Sequence, residues 1–216
     1  MQSTTANTPT PSFNKSLSAM FDMIFTPPSA LSTMEKGLVH SWVPWLLATA
    51  CELVWLYTHY STGRLPIQIA GTILLELVIV GIQVTTVTLI VAAVLWAGGA
   101  RFNLAQLFTL AFSVTFITRL LLLIAALLGQ LFFDIDTDIA QQNLSNFAWM
   151  ISQEEQRPLH QLLVKLDIAR LYGLALFTVG ATMLIRNIPR AKTASLILAT
   201  WLAFVTTLTA IKWYVS

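Results

Sequence analysis

Five ionisable residues stand inside long apolar runs of this 216-residue chain: Glu52, Glu76, Arg119, Asp167 and Arg170. A charge at the middle of an apolar helix in lipid costs about 2.5–3.5 kcal/mol on insertion scales. Such groups need a partner or water once the helices have assembled. Asp167 and Arg170 are three residues apart, which puts them on one helix face. Two chemistries follow. The carboxyls and guanidiniums can pair into a buried ionic network that pins helix packing. They can also line a polar cavity or a proton-coupled pathway. Three acids against two arginines leave one carboxyl over. In low dielectric a carboxyl without a cation favours its neutral form, and such a group can carry a proton.

Other chemistry-bearing residues lack the spacing their chemistry needs. Asp134, Asp136 and Asp138 alternate as at the start of a calcium loop. That loop requires Gly at its sixth position and Glu at its twelfth; here these are Ile139 and Ser145. A solvated acidic turn is the simpler reading. His40, His59 and His160 fall at span ends, and haem ligation needs a His pair facing across the bundle. No Gly-rich phosphate loop, nucleophile elbow or His-Glu-x-x-His metal motif occurs. Cys51 is the sole cysteine, so an intramolecular disulfide is excluded. The expectation is a protein without catalytic residues, resident metal or cofactor.

These charges are held by an unusual scaffold. The chain is 56% hydrophobic and 10% charged, against about 25% charged in an ordinary soluble domain. Lipid must be the solvent for most of it. A net charge of +2, with basic residues clustered only over 186–192, argues against nucleic acid as a partner. A spanning helix needs roughly 20 apolar residues. Five segments qualify, at about 41–60, 67–97, 104–133, 159–185 and 193–214. Pro44, Pro66 and Pro158 stand near helix starts, and Gly98-Gly99 closes the second run. The second run exceeds one crossing and must tilt or project. Lipid leaves free backbone groups no partner, so the spans must be helical. The expected fold class is all-α: a polytopic membrane protein built as a five-transmembrane-helix bundle.

Residues 1–20 read as a disordered cytoplasmic tail, polar and Pro-containing. The first apolar run starts near residue 41, too late for a cleavable signal. Residues 21–40 read as a short amphipathic segment. Met20, Phe21, Ile24 and Phe25 share a face, and Pro27-Pro28 ends the helix. That face can lie in the membrane interface or pack on the bundle. The connection 134–158 is long enough for a surface helix with Ile139, Phe147, Met150 and Ile151 on its apolar side.

Orientation follows from Lys and Arg in the connections. Lys15, Lys36, Arg101, Arg186, Arg190 and Lys192 stand on one side, against Arg64, Arg157 and Lys212 on the other. The richer side is cytoplasmic, so the N-terminus is inside and the C-terminus outside, as for a multi-pass protein of the cell inner membrane. Trp42, Trp45, Trp96, Tyr57, Tyr60, Trp213 and Tyr214 mark the interfaces. Counted along the helices at 1.5 Å per residue, all five charges fall about 12 to 21 Å from the outer surface. Four helices therefore deliver charge to one layer, and the fifth is an apolar wall.

Several stretches resemble the bacterial branch of the Yip family, membrane proteins whose eukaryotic members interact with Rab GTPases. They are Ile24-Phe25-Thr26-Pro27-Pro28, Gly98-Gly99-Ala100 ahead of the third span, and residues 162–202 with Leu166-Asp167-Ile168 and Lys192-Thr193-Ala194. The similarity covers about residues 20–215. It implies a five-helix membrane domain with a cytosolic N-terminus, and it carries over most directly at Asp167. It implies no settled activity for the bacterial branch.

Two functions compete. A membrane scaffold or assembly factor, binding lipid, protein partners or a second copy of itself, implies an ionic layer that closes without a cavity. A small transporter or channel-like protein implies a water-accessible cavity reaching Glu76, Arg119 or Asp167. No internal repeat and no pair of broken helices occurs, features many transporters have, and this favours the scaffold.

Overall fold

The computed structural model describes residues 12–60, 66–133 and 167–215. The described residues form an all-α protein of seven helices. They are α1 (Phe13–Phe25), α2 (Pro27–Glu35), α3 (Trp42–Tyr60), α4 (Pro66–Ala97), α5 (Leu104–Phe133), α6 (Ile168–Leu184) and α7 (Arg190–Val215).

Local chemistry sets the helix ends. Ser12 caps α1, its Oγ accepting from the Lys15 N–H at 3.4 Å. The helix thus starts inside the 1–20 segment read as tail. Thr26 ends it, and Pro27-Pro28 then open α2, where their missing N–H groups cost no helical hydrogen bond. Gly37 and Gly99 take φ of +68° and +87° just past α2 and α4. In each case two backbone N–H groups turn back onto the last helical carbonyls, at 2.9–3.3 Å. Side chains with a Cβ are strained there. Asn103 caps α5, accepting from the Ala105 N–H at 2.9 Å.

Helix α5 is the spine. It buries the largest share of any apolar span and packs on α3, α6, α4 and both N-terminal helices, most extensively on α3 and α6. Gly180 allows the α6 approach: a Cβ there would stand 2.6 Å from Leu110 and 2.8 Å from Leu31. Helix α7 rests on α6 and α4, so α4, α5, α6 and α7 close a ring, with α3 filling the groove between α4 and α5.

One end of the bundle is tied by polar contacts. Asn187, between α6 and α7, accepts from the Arg101 N–H and donates to Gly99 O, both at 2.7 Å, joining that connection to the α4–α5 turn. Gln106 donates to Glu35 O at 2.7 Å, and Arg186 pairs with the Glu35 carboxylate. Helices α1 and α2 dock here. They bury Met20, Met23, Leu31 and Met34, and Ser16 accepts from the His40 N–H at 3.0 Å. Phe21 and Phe25 stay exposed, and Phe13 stacks on Trp42. The segment therefore packs on the bundle through its methionines while showing phenylalanines outward.

The sequence implies five crossings; among the described residues three helices are long and apolar enough to cross a membrane, not five. They hold the spans Leu77–Ala97, Leu104–Leu128 and Arg190–Ile211. Trp42–Val54 and Ile168–Leu184 are shorter apolar stretches. The shortfall at α6 has a local cause. Asp167 is not inside a helix but caps one, so the described helix starts at Ile168 rather than near residue 159. Residues 159–166, the surface helix and acidic turn of 134–158, and residues 1–11 lie outside the described residues. Exposed Leu74, Leu75, Val78 and Ile82 on α4, and Leu198, Leu202 and Ile211 on α7, form apolar faces that fit a lipid environment.

Candidate functional site

The ring of helices borders a half-open cavity of about 600 Å³. Every helix from α3 to α7 contributes to its wall. Three of the five charges singled out in the sequence line it: Glu52, Arg119 and Arg170. Most of the remaining wall is apolar, including Val84, Val87, Leu174, Phe177, Phe204 and Leu208.

Each charge has a distinct setting. Arg119, at mid-length in α5, pairs with the Glu52 carboxylate on α3. This ion pair joins the two most extensively packed helices. Its members keep 18% and 28% of their side-chain surface, so the pair faces the cavity rather than a dry interior. Asp167 does two jobs with its two carboxylate oxygens. Oδ1 accepts from the Arg170 backbone N–H at 2.6 Å, capping α6. Oδ2 holds the Arg170 Nε at 2.8 Å. Asp167 is itself 3% exposed and lies behind the wall, whereas the Arg170 side chain is 47% exposed. The pair therefore presents a cation to the cavity and hides its counter-charge.

Among the described residues the charges read from the sequence form two ion pairs, one bridging helices and one within the start of α6. They share a cavity wall through Glu52, Arg119 and Arg170. Glu76 belongs to α4, and its side chain lies outside the described residues. So do the side chain of His59 and all of His160. The chain carries one more base in the 159–185 run, Lys165. Counting it makes three acids against three bases and removes the surplus carboxyl; Lys165 also lies outside the described residues.

Sequence reading missed the uncharged polar wall. Thr88, Thr115 and Thr200 face the cavity, but their hydroxyls donate to carbonyls one turn earlier in their own helices, at 2.6, 2.8 and 2.7 Å. They offer the cavity acceptor oxygens only. Gln83, Trp201 and Cys51 also line it. A three-residue hydroxyl spacing, Thr85 to Thr88 and Thr115 to Thr118, is the one signal that could have marked this wall, and ordinary helix packing produces the same pattern. Among the described residues no group of three or more His, Cys, Asp or Glu gathers.

Comparison with family models, curated proteins and solved structures finds no match to this chain.

Proposed function

We propose that this protein is a small carrier or channel-like protein of the cell inner membrane, which receives a solute in the cavity between α3 and α7. The observation that carries this reading is the cavity itself, walled by Glu52, Arg119 and Arg170. A purely structural ionic network has no need of about 600 Å³ of space beside it. That volume lies within the roughly 300–1,000 Å³ range of small-molecule sites. The scaffold reading rests on an ionic layer closed without a cavity, and the geometry favours the carrier over it.

Five crossings belong to this proposal. Helices α3 and α6, of 19 and 17 residues, extend about 28 and 25 Å, close to the hydrocarbon thickness of about 30 Å. The starts of α3, α5 and α7 and the ends of α4 and α6 gather at one end of the bundle, as alternating spans require. The six basic residues at that end favour a cytoplasmic N-terminus. The Yip-like motifs support the same topology.

Cys51, the only thiol, lies in the cavity wall and permits a direct test. In sealed proteoliposomes a membrane-impermeant methanethiosulfonate should modify it from at least one side. Modification by lipid-soluble maleimide alone, with no reaction from either aqueous face, would mean a lipid-filled cleft and end the carrier reading.

A further inference from the structure

The cavity is asymmetric in its polar groups, and this points to the chemistry of its ligand. Two arginines line it. Arg119 is committed to Glu52. Arg170 is tethered to Asp167 through Nε alone, and among the described residues no acceptor engages its two Nη groups. Tethering through Nε fixes the guanidinium plane and leaves the Nη edge, the edge that matches planar or tetrahedral oxyanions. The carboxylate that balances Arg170 sits behind the wall, 3% exposed. A ligand therefore meets a positioned cation whose Nη donors no acceptor engages among the described residues. Gln83 on α4 and Trp201 on α7 add an amide and an indole N–H to the same wall.

The rest of the wall calls for a different kind of group. Val84, Val87, Leu174, Phe177, Phe204 and Leu208 can pair with neither charge nor hydrogen bonds. A free inorganic anion would leave that surface without a partner, and a plain hydrocarbon would leave the Arg170 donors desolvated and unmet. One molecule satisfies both: an apolar chain with an anionic head. Resting on the carrier reading, we propose that the cavity binds a single-chain amphipathic anion, its phosphate- or carboxylate-type head on Arg170 and its chain along α4, α6 and α7.

The test uses the full chain in phosphatidylcholine nanodiscs and reads protection of Cys51 from maleimide. Dodecyl phosphate is the probe, with dodecanol, dodecyltrimethylammonium and inorganic phosphate as comparisons. Dodecyl phosphate should protect Cys51, while the other three at equal concentration should not. Arg170→Gln should raise the concentration for half-protection at least tenfold, and Arg170→Lys should recover most of that loss. The helix cap survives both changes, because it uses the Arg170 backbone N–H. If Arg170→Gln fails to fold because Asp167 is left unpaired, the double variant Asp167→Asn with Arg170→Gln removes both charges and keeps a capping side chain. It should show the same tenfold shift.

Equal protection by dodecanol would overturn the anionic head and leave the carrier reading intact. Protection by inorganic phosphate alone would overturn the chain. No protection by any probe at a water-reactive Cys51 would overturn the ligand class. A Cys51 that no aqueous reagent reaches would defeat the carrier reading itself.

Discussion

Arg119→Gln removes the cation that joins α5 to α3. The expected loss can be bracketed from its setting. Ion pairs at a protein surface contribute about 0–1 kcal/mol. Removing one member of a fully buried pair costs about 3–5 kcal/mol, because the other charge is left without compensation. Arg119 and Glu52 retain 18% and 28% exposure towards the cavity, which places them between these cases. Arg119→Gln should therefore cost ~1.5–3 kcal/mol of bundle stability. Glu52→Gln should cost a similar amount. The double variant should lose less than the sum of the two, with a coupling of ~1–2 kcal/mol, since neither charge is then stranded. Unfolding in mixed detergent micelles, followed by tryptophan fluorescence, gives all three values. Exchange of the two residues, Glu52→Arg with Arg119→Glu, should recover part of the stability that either reversal alone removes. Single effects that add within about 0.3 kcal/mol would mean that the two side chains do not meet. The register of α3 against α5 would then be wrong.

Three further changes probe the scaffold. Gly180→Val places methyl groups where Leu110 and Leu31 already stand within 2.8 Å of a Cβ; overpacking of this kind costs about 1–3 kcal/mol, read in the same unfolding assay. Asn187→Ala loses the two 2.7 Å hydrogen bonds between connections. It should cost about 1–3 kcal/mol and make the 98–103 turn more open to hydrogen exchange. Gly99→Ala forces a Cβ into φ +87°; its loss of about 1–2 kcal/mol should be absent in Gly71→Ala, where a Cβ meets nothing within 4 Å.

The helices whose ends carry strong punctuation were legible in the sequence. Pro66 and Gly98-Gly99 bound α4, and Asn103 opens α5, so the expected runs 67–97 and 104–133 match Pro66–Ala97 and Leu104–Phe133 closely. The start of α7 was set three residues late, at Thr193 instead of Arg190, because Arg190 and Lys192 look like loop residues when hydropathy alone is read. Pro27-Pro28 was legible as the end of α1 but also starts α2, the second use of Pro at a helix boundary. Asp167 shows a harder limit. Apolar residues continue on its N-terminal side, so hydropathy places it in mid-span, while its carboxylate ends up capping α6. The choice is made by the hydrogen bonds available to it, which a sliding hydropathy pattern does not weigh. The cavity was legible only as one of two alternatives, and the sequence favoured the other. Its existence depends on which faces α4 and α7 turn towards the other helices, and neither helix has a strongly amphipathic pattern that would fix this.

Adjacent residues on α4 provide the most direct test of the charged, water-accessible cavity. Gln83 lines it, whereas Ile82 stands exposed on the outer side of the same helix. Nitroxides attached at Gln83→Cys and at Ile82→Cys, each with Cys51→Ser, can be compared in nanodiscs for collision with a water-soluble nickel chelate and with oxygen. The label at position 83 should collide preferentially with the nickel chelate and the label at 82 with oxygen. Oxygen preference at both positions would show that lipid, not water, fills the space between the helices, and would contradict the account.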